Sequence, residues 1–194
     1  RSSAASDVYK RQVPCTTSLV AYSIIFRSLF ANNGLVNYVL VNIGILDKPY
    51  NFLTQPFAAK IVIILALLWR WTGYNMVFFL SGLQNIEYSV YEAAKIDGAS
   101  AIQTFFKITV PLLKPTILLT AIMSTNGTLQ LFDESINLTD GGPANASISM
   151  SHYIYNLCFK YVPNFGYAAA MSFFILLLVA VLAFIQMRVG DKRD

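Results

Sequence analysis

The chain has 194 residues, 56% of them hydrophobic and only 12% charged, with a net charge of +4 and a mean hydropathy of +0.54. A soluble domain carries about a quarter charged residues, so this composition is that of a membrane protein, with lipid as its first partner. The basic residues form neither a run nor a stripe interleaved with aromatics, which speaks against nucleic acid, and two separated cysteines (Cys15, Cys158) with one histidine (His152) give no metal-ligand spacing.

Residues 1–12 are polar and unlike everything after them. They resemble a translated cloning tail and are set aside as a non-native leader, a genuine cytoplasmic segment being the alternative. A membrane helix takes about 20 apolar residues to cross a hydrocarbon core of about 30 Å. Four segments of the remaining chain suit that length: residues 13–30, 58–83, 112–132 and 166–187. The first carries Arg27 near its end, where a long side chain can snorkel. The second carries Arg70 in mid-span between Trp69 and Trp71. A charge at that depth costs at least about 2.5–3.5 kcal/mol, so Arg70 should face a cavity or a partner group.

The connection 85–111 reads as helix, break, helix. Asn85 is a suitable N-cap for a helix running through Ile96, and Gly98 can take the left-handed geometry that closes it. Ser100 and Gln103 have the spacing of a capping box for the next helix, which Pro111 is expected to end. Ala93 and Ala94 leave a shallow surface that a partner can approach closely. Asp97 falls at a helix C-terminus, where the dipole disfavours a carboxylate, so a partner or a turn role is expected of it. A surface hairpin that merely links two spans fits the same residues.

In the third segment Thr116, Thr120, Ser124, Gly127, Gln130 and Glu134 recur at helical spacing on one face, opposite Leu118, Ile122, Leu129 and Phe132. A small and polar stripe in a membrane helix faces protein or water. It either lines a water-filled path or forms a close helix–helix interface, and the helix could unwind locally at Asn126-Gly127. Gly141-Gly142-Pro143 reads as a tight turn. His152 has no paired acid or nucleophile identifiable from the sequence, so no catalytic residue is assigned. The connection 85–111 and the tail hold Lys95, Lys107, Arg188, Lys192 and Arg193, with Lys114 just beyond, whereas 133–164 holds Asp133, Glu134 and Asp140 against Lys160. Lys and Arg concentrate on the cytoplasmic side, which puts 85–111 and the C-terminus inside and 31–57 and 133–164 outside, although Lys48 and Lys60 run against the trend.

Glu92-Ala93-Ala94, Asp97-Gly98-Ala99, Phe105, Ile108 and Pro111 resemble the signature of permease subunits of bacterial binding-protein-dependent ABC importers. Trp71-Thr-Gly-Tyr-Asn-Met76, Leu131-Phe-Asp133 and Leu138-Thr-Asp-Gly-Gly-Pro-Ala144 are similar to the maltose-type carbohydrate group within them. The resemblance covers the chain from about Val13 onward. It implies an all-α polytopic helical bundle in the inner membrane, four spans of an expected six, as one permease domain over 13–194. It also implies that Glu92, Ala93, Ala94, Asp97, Gly98 and Ala99 form a coupling loop docking on a cytoplasmic ATP-binding subunit dimer. Further partners would be a second permease subunit and an extracytoplasmic solute-binding protein. In that setting Arg70, Thr120, Ser124, Gly127, Gln130 and Glu134 become candidates for the translocation path of a sugar. The sequence has no G-x-x-x-x-G-K-[ST] loop, so ATP would be used by the partner and the chain needs no cofactor and is not itself an enzyme. The alternatives are a permease for a non-sugar solute and, from the residues alone, an ion-coupled secondary transporter, which would require intramembrane acid relays.

Overall fold

The structure, a computed structural model, describes residues 18–190. The leader 1–12, Cys15 and the tail bases Lys192 and Arg193 lie outside them. The described residues are almost entirely helical, with no strand among them. In chain order the helices are α1 (Leu19–Leu29), α2 (Leu35–Asn42), α3 (Pro56–Gln84), α4 (Tyr88–Ile96), α5 (Ala101–Leu112), α6 (Lys114–Leu129), α7 (Asp133–Thr139), α8 (Met150–Tyr155) and α9 (Phe165–Gly190).

Two of these, α3 and α9, are long and apolar enough to cross a membrane alone, and α5 with α6 makes a third if the bent pair counts as one span. Helix α9 is apolar all round and buries only Ala168 and Ile175, as expected of a helix whose surroundings are hydrocarbon. Helix α1 has 11 residues, the earlier part of the stretch 13–30 falling outside the described residues.

Three helices run side by side in alternating directions. Antiparallel packing of α3 on α6 is set by small residues: Gly82 lies against Leu113 and Thr116, Asn75 against Ser124, and Trp71 against Gly127. On its other side α6 meets α9, with Gly190 against Leu118 and the Gln186 amide donating to Thr125 Oγ1 at 2.8 Å. Helix α7 wedges between α1 and α3, and there Tyr22, Ile63, Ala66 and Leu138 form the buried apolar core.

Three local expectations are corrected. Asn85 does not cap α4; it is the C-cap of α3, in helical geometry with its N–H on Gly82 O. The chain becomes extended two residues later, at Glu87, so α4 starts at Tyr88 without a side-chain cap. Pro111 does not end its helix: a π-turn over Phe105–Thr109 widens the ladder, and Pro111 sits in the turn Val110–Leu112 beyond it. A wider turn accommodates a residue that has no N–H to give. The break falls at Leu113 instead, where α5 and α6 meet at a bend of 65°, with Pro115 in the first turn of α6. Finally, α6 stays helical through Asn126 and Gly127 and stops at Leu129, so Glu134 lies on α7 and not on the stripe of α6.

Candidate functional site

The turn between α4 and α5 is built as its sequence dictates. Gly98 has φ +73, and Ala99 N–H returns to Ala94 O, closing α4. Ser100 Oγ accepts from Gln103 N–H at 3.3 Å while Gln103 Oε1 accepts from Ser100 N–H at 2.9 Å, completing the capping box. The hydroxyls of Tyr91 and Thr109 meet at 3.3 Å and pin α4 against α5. Ala94 is buried in this seam, whereas Glu92, Ala93, Lys95, Ile96, Asp97 and Gly98 are exposed and Ala99 is half-buried. Ile96 and Ile102 are 86% and 72% exposed, an apolar pair at the tip of an otherwise polar turn.

The interior of the bundle holds the other candidates, and the structure divides them. Thr120 is buried and spends its hydroxyl on Thr116 O and Ile117 O of its own helix. Ser124 exchanges hydrogen bonds with the Asn75 amide at 3.3–3.4 Å. Gly127 receives the Trp71 ring, leaving no room for a side chain. These three positions belong to the α3–α6 seam. Gln130 instead opens, with Asn126, into a cavity of about 570 Å³ between α6, α8 and α9, lined further by Ser151, Ser172, Ile154 and Leu176. The polar groups there are amides and hydroxyls without a charge among them. Ser151 and Ser172 were not singled out from sequence, and Asn126, one turn before Gln130, only as a place where the helix could unwind. Ser151 comes from α8, a short helix with no pattern long enough to read, and Ser172 from the otherwise apolar α9.

Arg70 and Glu134 are brought together. Arg70 Nη1 donates to Glu134 Oε1 at 2.9 Å, and Tyr22 Oη of α1 donates to the same oxygen. The guanidinium also stands over the Tyr22 ring, 5.8 Å from its centroid. Glu134 is nearly sealed, with a side-chain exposure of 3% against 34% for Arg70. The mid-span charge thus has a partner group, contributed by a helix the sequence did not separate from α6.

Residues 133–164 form a compact cap around Ser135. Ser135 Oγ donates to Ser147 O at 2.8 Å, accepts from Ser149 N–H at 3.2 Å and lies 2.8 Å from His152 Nδ1. The single hydroxyl proton goes to the carbonyl, so the third contact needs a proton on Nδ1, and Nε2 of the neutral ring carries a lone pair without a hydrogen-bond partner. Asp140 Oδ1 stands 3.8 Å from Nε2 and 2.8 Å from Lys160 Nζ. His152 therefore has both a hydroxyl and an acid beside it, against the sequence expectation. Ser135 and His152 are each 0% exposed and the serine is saturated, so no substrate carbonyl can reach Oγ. Burial lowers the His152 pKa from 6.5, and the hydrogen bond from Lys160 holds the Asp140 carboxyl below its usual range. The tight turn stands where Gly141-Gly142-Pro143 predicts it, with a cis Gly142–Pro143 bond and positive φ at Asp140, Gly141, Ala144 and Asn145. No cluster of metal-ligating residues occurs among the described residues.

Residues 15–193 match the family described as binding-protein-dependent transport system inner membrane component. A lactose transport system permease protein from Rhizobium radiobacter is 55% identical over 93% of the chain and 61% of its own length. A trehalose/maltose transport system permease protein from Thermococcus litoralis is 34% identical over 93% of the chain and 59% of its length. Among solved structures, a bacterial ABC transporter involved in the import of the acidic polysaccharide alginate superposes with a TM-score of 0.81 at 25% identity, over 92% of the chain and 62% of the matched one. A further alginate ABC transporter structure, in complex with a periplasmic protein bound to an alginate pentasaccharide, gives a TM-score of 0.72 at 26% identity, over 92% of the chain and 60% of the matched one. The chain thus spans about three-fifths of the length of the relatives it matches.

Proposed function

The chain belongs to the family of binding-protein-dependent transport system inner membrane components, and we propose that it is the permease subunit of an ATP-driven importer of neutral saccharides. Membership makes it a multi-pass inner-membrane protein. The cargo is argued from the sugar permeases it is similar to and from the uncharged amide and hydroxyl lining of the cavity at Gln130, Asn126, Ser151 and Ser172.

The observation that carries the reading is the exposed tip of the α4–α5 hairpin. Ile96 and Ile102 stand in water at the end of a hairpin that is otherwise capped and pinned. A rigid, apolar-tipped turn on the side richer in Lys and Arg is suited to a cleft on a cytoplasmic protein. Glu92, Ala93, Asp97 and Gly98 surround that tip and would complete the contact. The partners are an ATP-binding subunit dimer on this hairpin, a second permease alongside, and a solute-binding protein over the cap 133–164. ATP is consumed by the partner, and this chain contributes no catalytic residue, cofactor or metal.

The test is co-purification of the full-length protein with the ATP-binding subunit from its own operon. Replacing Glu92 and Gly98 together should abolish the association. A complex that survives the double replacement would sink the assignment of this hairpin as the docking element.

A further inference from the structure

Resting on the reading above, we infer that the Arg70–Glu134 pair is the mechanical joint through which movement of the α4–α5 hairpin reaches the cap 133–164. Helix α3 is unbroken from Pro56 to Gln84 and α4 follows after three residues, so a displacement of the hairpin is delivered to the inner end of a single long lever. Arg70 lies on the inward face of that lever, on the side of Ala59, Val62, Ala66 and Gly73. From its middle to its inner end α3 is seated on α6 by Trp71, Asn75 and Gly82, which are packing contacts and one weak amide–hydroxyl exchange. Towards α7 its directional contact is charged and sealed on the acid side: Arg70 to Glu134 at 2.9 Å.

What Glu134 is attached to gives the pair its consequence. The next residue, Ser135, holds the cap through Ser147 O, Ser149 N–H and His152 Nδ1. One short helix therefore grips the lever with Glu134 and the cap with the serine beside it. Tyr22 adds a donor from α1 to the same carboxylate oxygen, tying the joint to the apolar core. Opening the contact strands a nearly sealed Glu134 carboxylate while the one-third-exposed Arg70 can turn to other partners, so the closed and open arrangements act as discrete states. Apolar packing alone would let α3 slide.

The experiment uses the full-length chain assembled with its second permease and ATP-binding subunits in lipid nanodiscs. ATP hydrolysis is read without and with the binding protein of the same operon, lactose serving as the probe sugar. Arg70→Gln and Glu134→Gln should each lower the stimulated-to-unstimulated ratio by about fivefold or more, the scale of a coupling free energy. The reversed pair, Arg70→Glu with Glu134→Arg, should recover most of it. Tyr22→Phe loses a buried hydrogen bond but keeps the joint, so it should lower thermal stability and leave the ratio in place. The inference is overturned if either single variant keeps the wild-type ratio, if Tyr22→Phe lowers it as far as Arg70→Gln, or if the reversed pair recovers nothing. Loss of assembly in the singles and in the reversed pair alike would also overturn it, making the pair simple cement. Failure of the wild-type chain to bind the ATP-binding subunit, or to respond to the binding protein, is instead a failure of the reading beneath it.

Discussion

The edge of the Trp71 ring occupies the place where Gly127 lacks a side chain: a Cβ there would collide with Cζ2 and stand 2.7 Å from Cη2. This contact fixes how closely the middle of α3 approaches the outer end of α6, as Gly82 against Thr116 does at the other end.

Gly127→Ala should therefore destabilise the protein although alanine is the better helix former. The propensity gain is about 1 kcal/mol, whereas forcing a methyl group into a closed seam costs about 1–3 kcal/mol and displaces a ring wedged between two helices. Thermal unfolding in detergent should show a lower midpoint for Gly127→Ala. Adding Trp71→Leu, which vacates the space, should recover part of the loss. A midpoint raised by Gly127→Ala alone would show that the seam is looser than its geometry.

Asn37 organises the connection between α2 and α3. It is 2% exposed, donates to Ala31 O at 3.0 Å and Tyr50 O at 2.9 Å, and accepts from Tyr50 N–H at 2.8 Å. Asn37→Ala leaves Tyr50 N–H without its partner and takes one of two donors from each of the Ala31 and Tyr50 carbonyls, at about 1 kcal/mol for each bond lost. Asn37→Asp should be at least as damaging, because both donors vanish and a carboxylate then faces two carbonyl oxygens. Limited proteolysis of residues 31–55 should accelerate in the order wild type, Asn37→Ala, Asn37→Asp.

Much of this could be seen in the sequence wherever a short-range rule governs. Gly98 and the Ser100–Gln103 box behave as their spacing requires, because a cap is decided within about four residues. Arg70 demanded a partner on energetic grounds and has one. What periodicity could not supply was the end of α6. Extending a 3.6-residue repeat from Thr116 to Glu134 runs through the turn at Gln130–Phe132, and only tertiary contact with α1 and α3 shows that Glu134 starts a new helix. The division of the stripe was equally hidden. Ser124 and Gly127 meet α3 while Gln130 meets a cavity, and the difference of a few tens of degrees around one helix is set by neighbours. The Ser135–His152 contact joins residues 17 apart across a turn with four positive φ angles, which no linear spacing rule describes.

The hairpin offers a cleaner local test. A Cβ at Gly98 would meet nothing within 4 Å, so Gly98→Ala is opposed by backbone conformation alone, at about 1–2 kcal/mol for a left-handed alanine. Ser100→Ala removes the cap of α5 at about 1 kcal/mol. Amide exchange at Asp97, Gly98 and Ala99 should quicken about fivefold or more in Gly98→Ala, following the free energy. Gly98→Asn should do less harm, since asparagine tolerates this geometry. In Ser100→Ala the change should fall on Gln103 and leave α4 protected. Equal loss across both helices in either variant would mean that the hairpin opens as one unit.

The cap should loosen in mild acid, and His152 decides the sign. Burial holds its folded pKa below the ordinary 6.5, so below that pH the unfolded chain binds a proton that the folded chain refuses. Stability then rises with pH across this window and is lost as pH falls from about 6.5 toward the folded value, by at most about 1.4 kcal/mol per pH unit for one proton. Asp140 acts lower down: its carboxyl, held below 3.8 by Lys160, contributes above that pH and loses its contribution only beneath it. Between the two, histidine is the group of this cluster that titrates. Exchange protection at Ser147 and Ser149, corrected for intrinsic rates, should fall between pH 7 and pH 5. His152→Asn can offer an amide donor where Nδ1 stands but cannot take a proton, so its protection should vary little over the same range. A wild-type profile as flat as the variant's would mean that the ring takes up its proton as readily in the folded protein as in the unfolded chain. Protection that rises as pH falls would mean that the folded ring is charged beside Asp140.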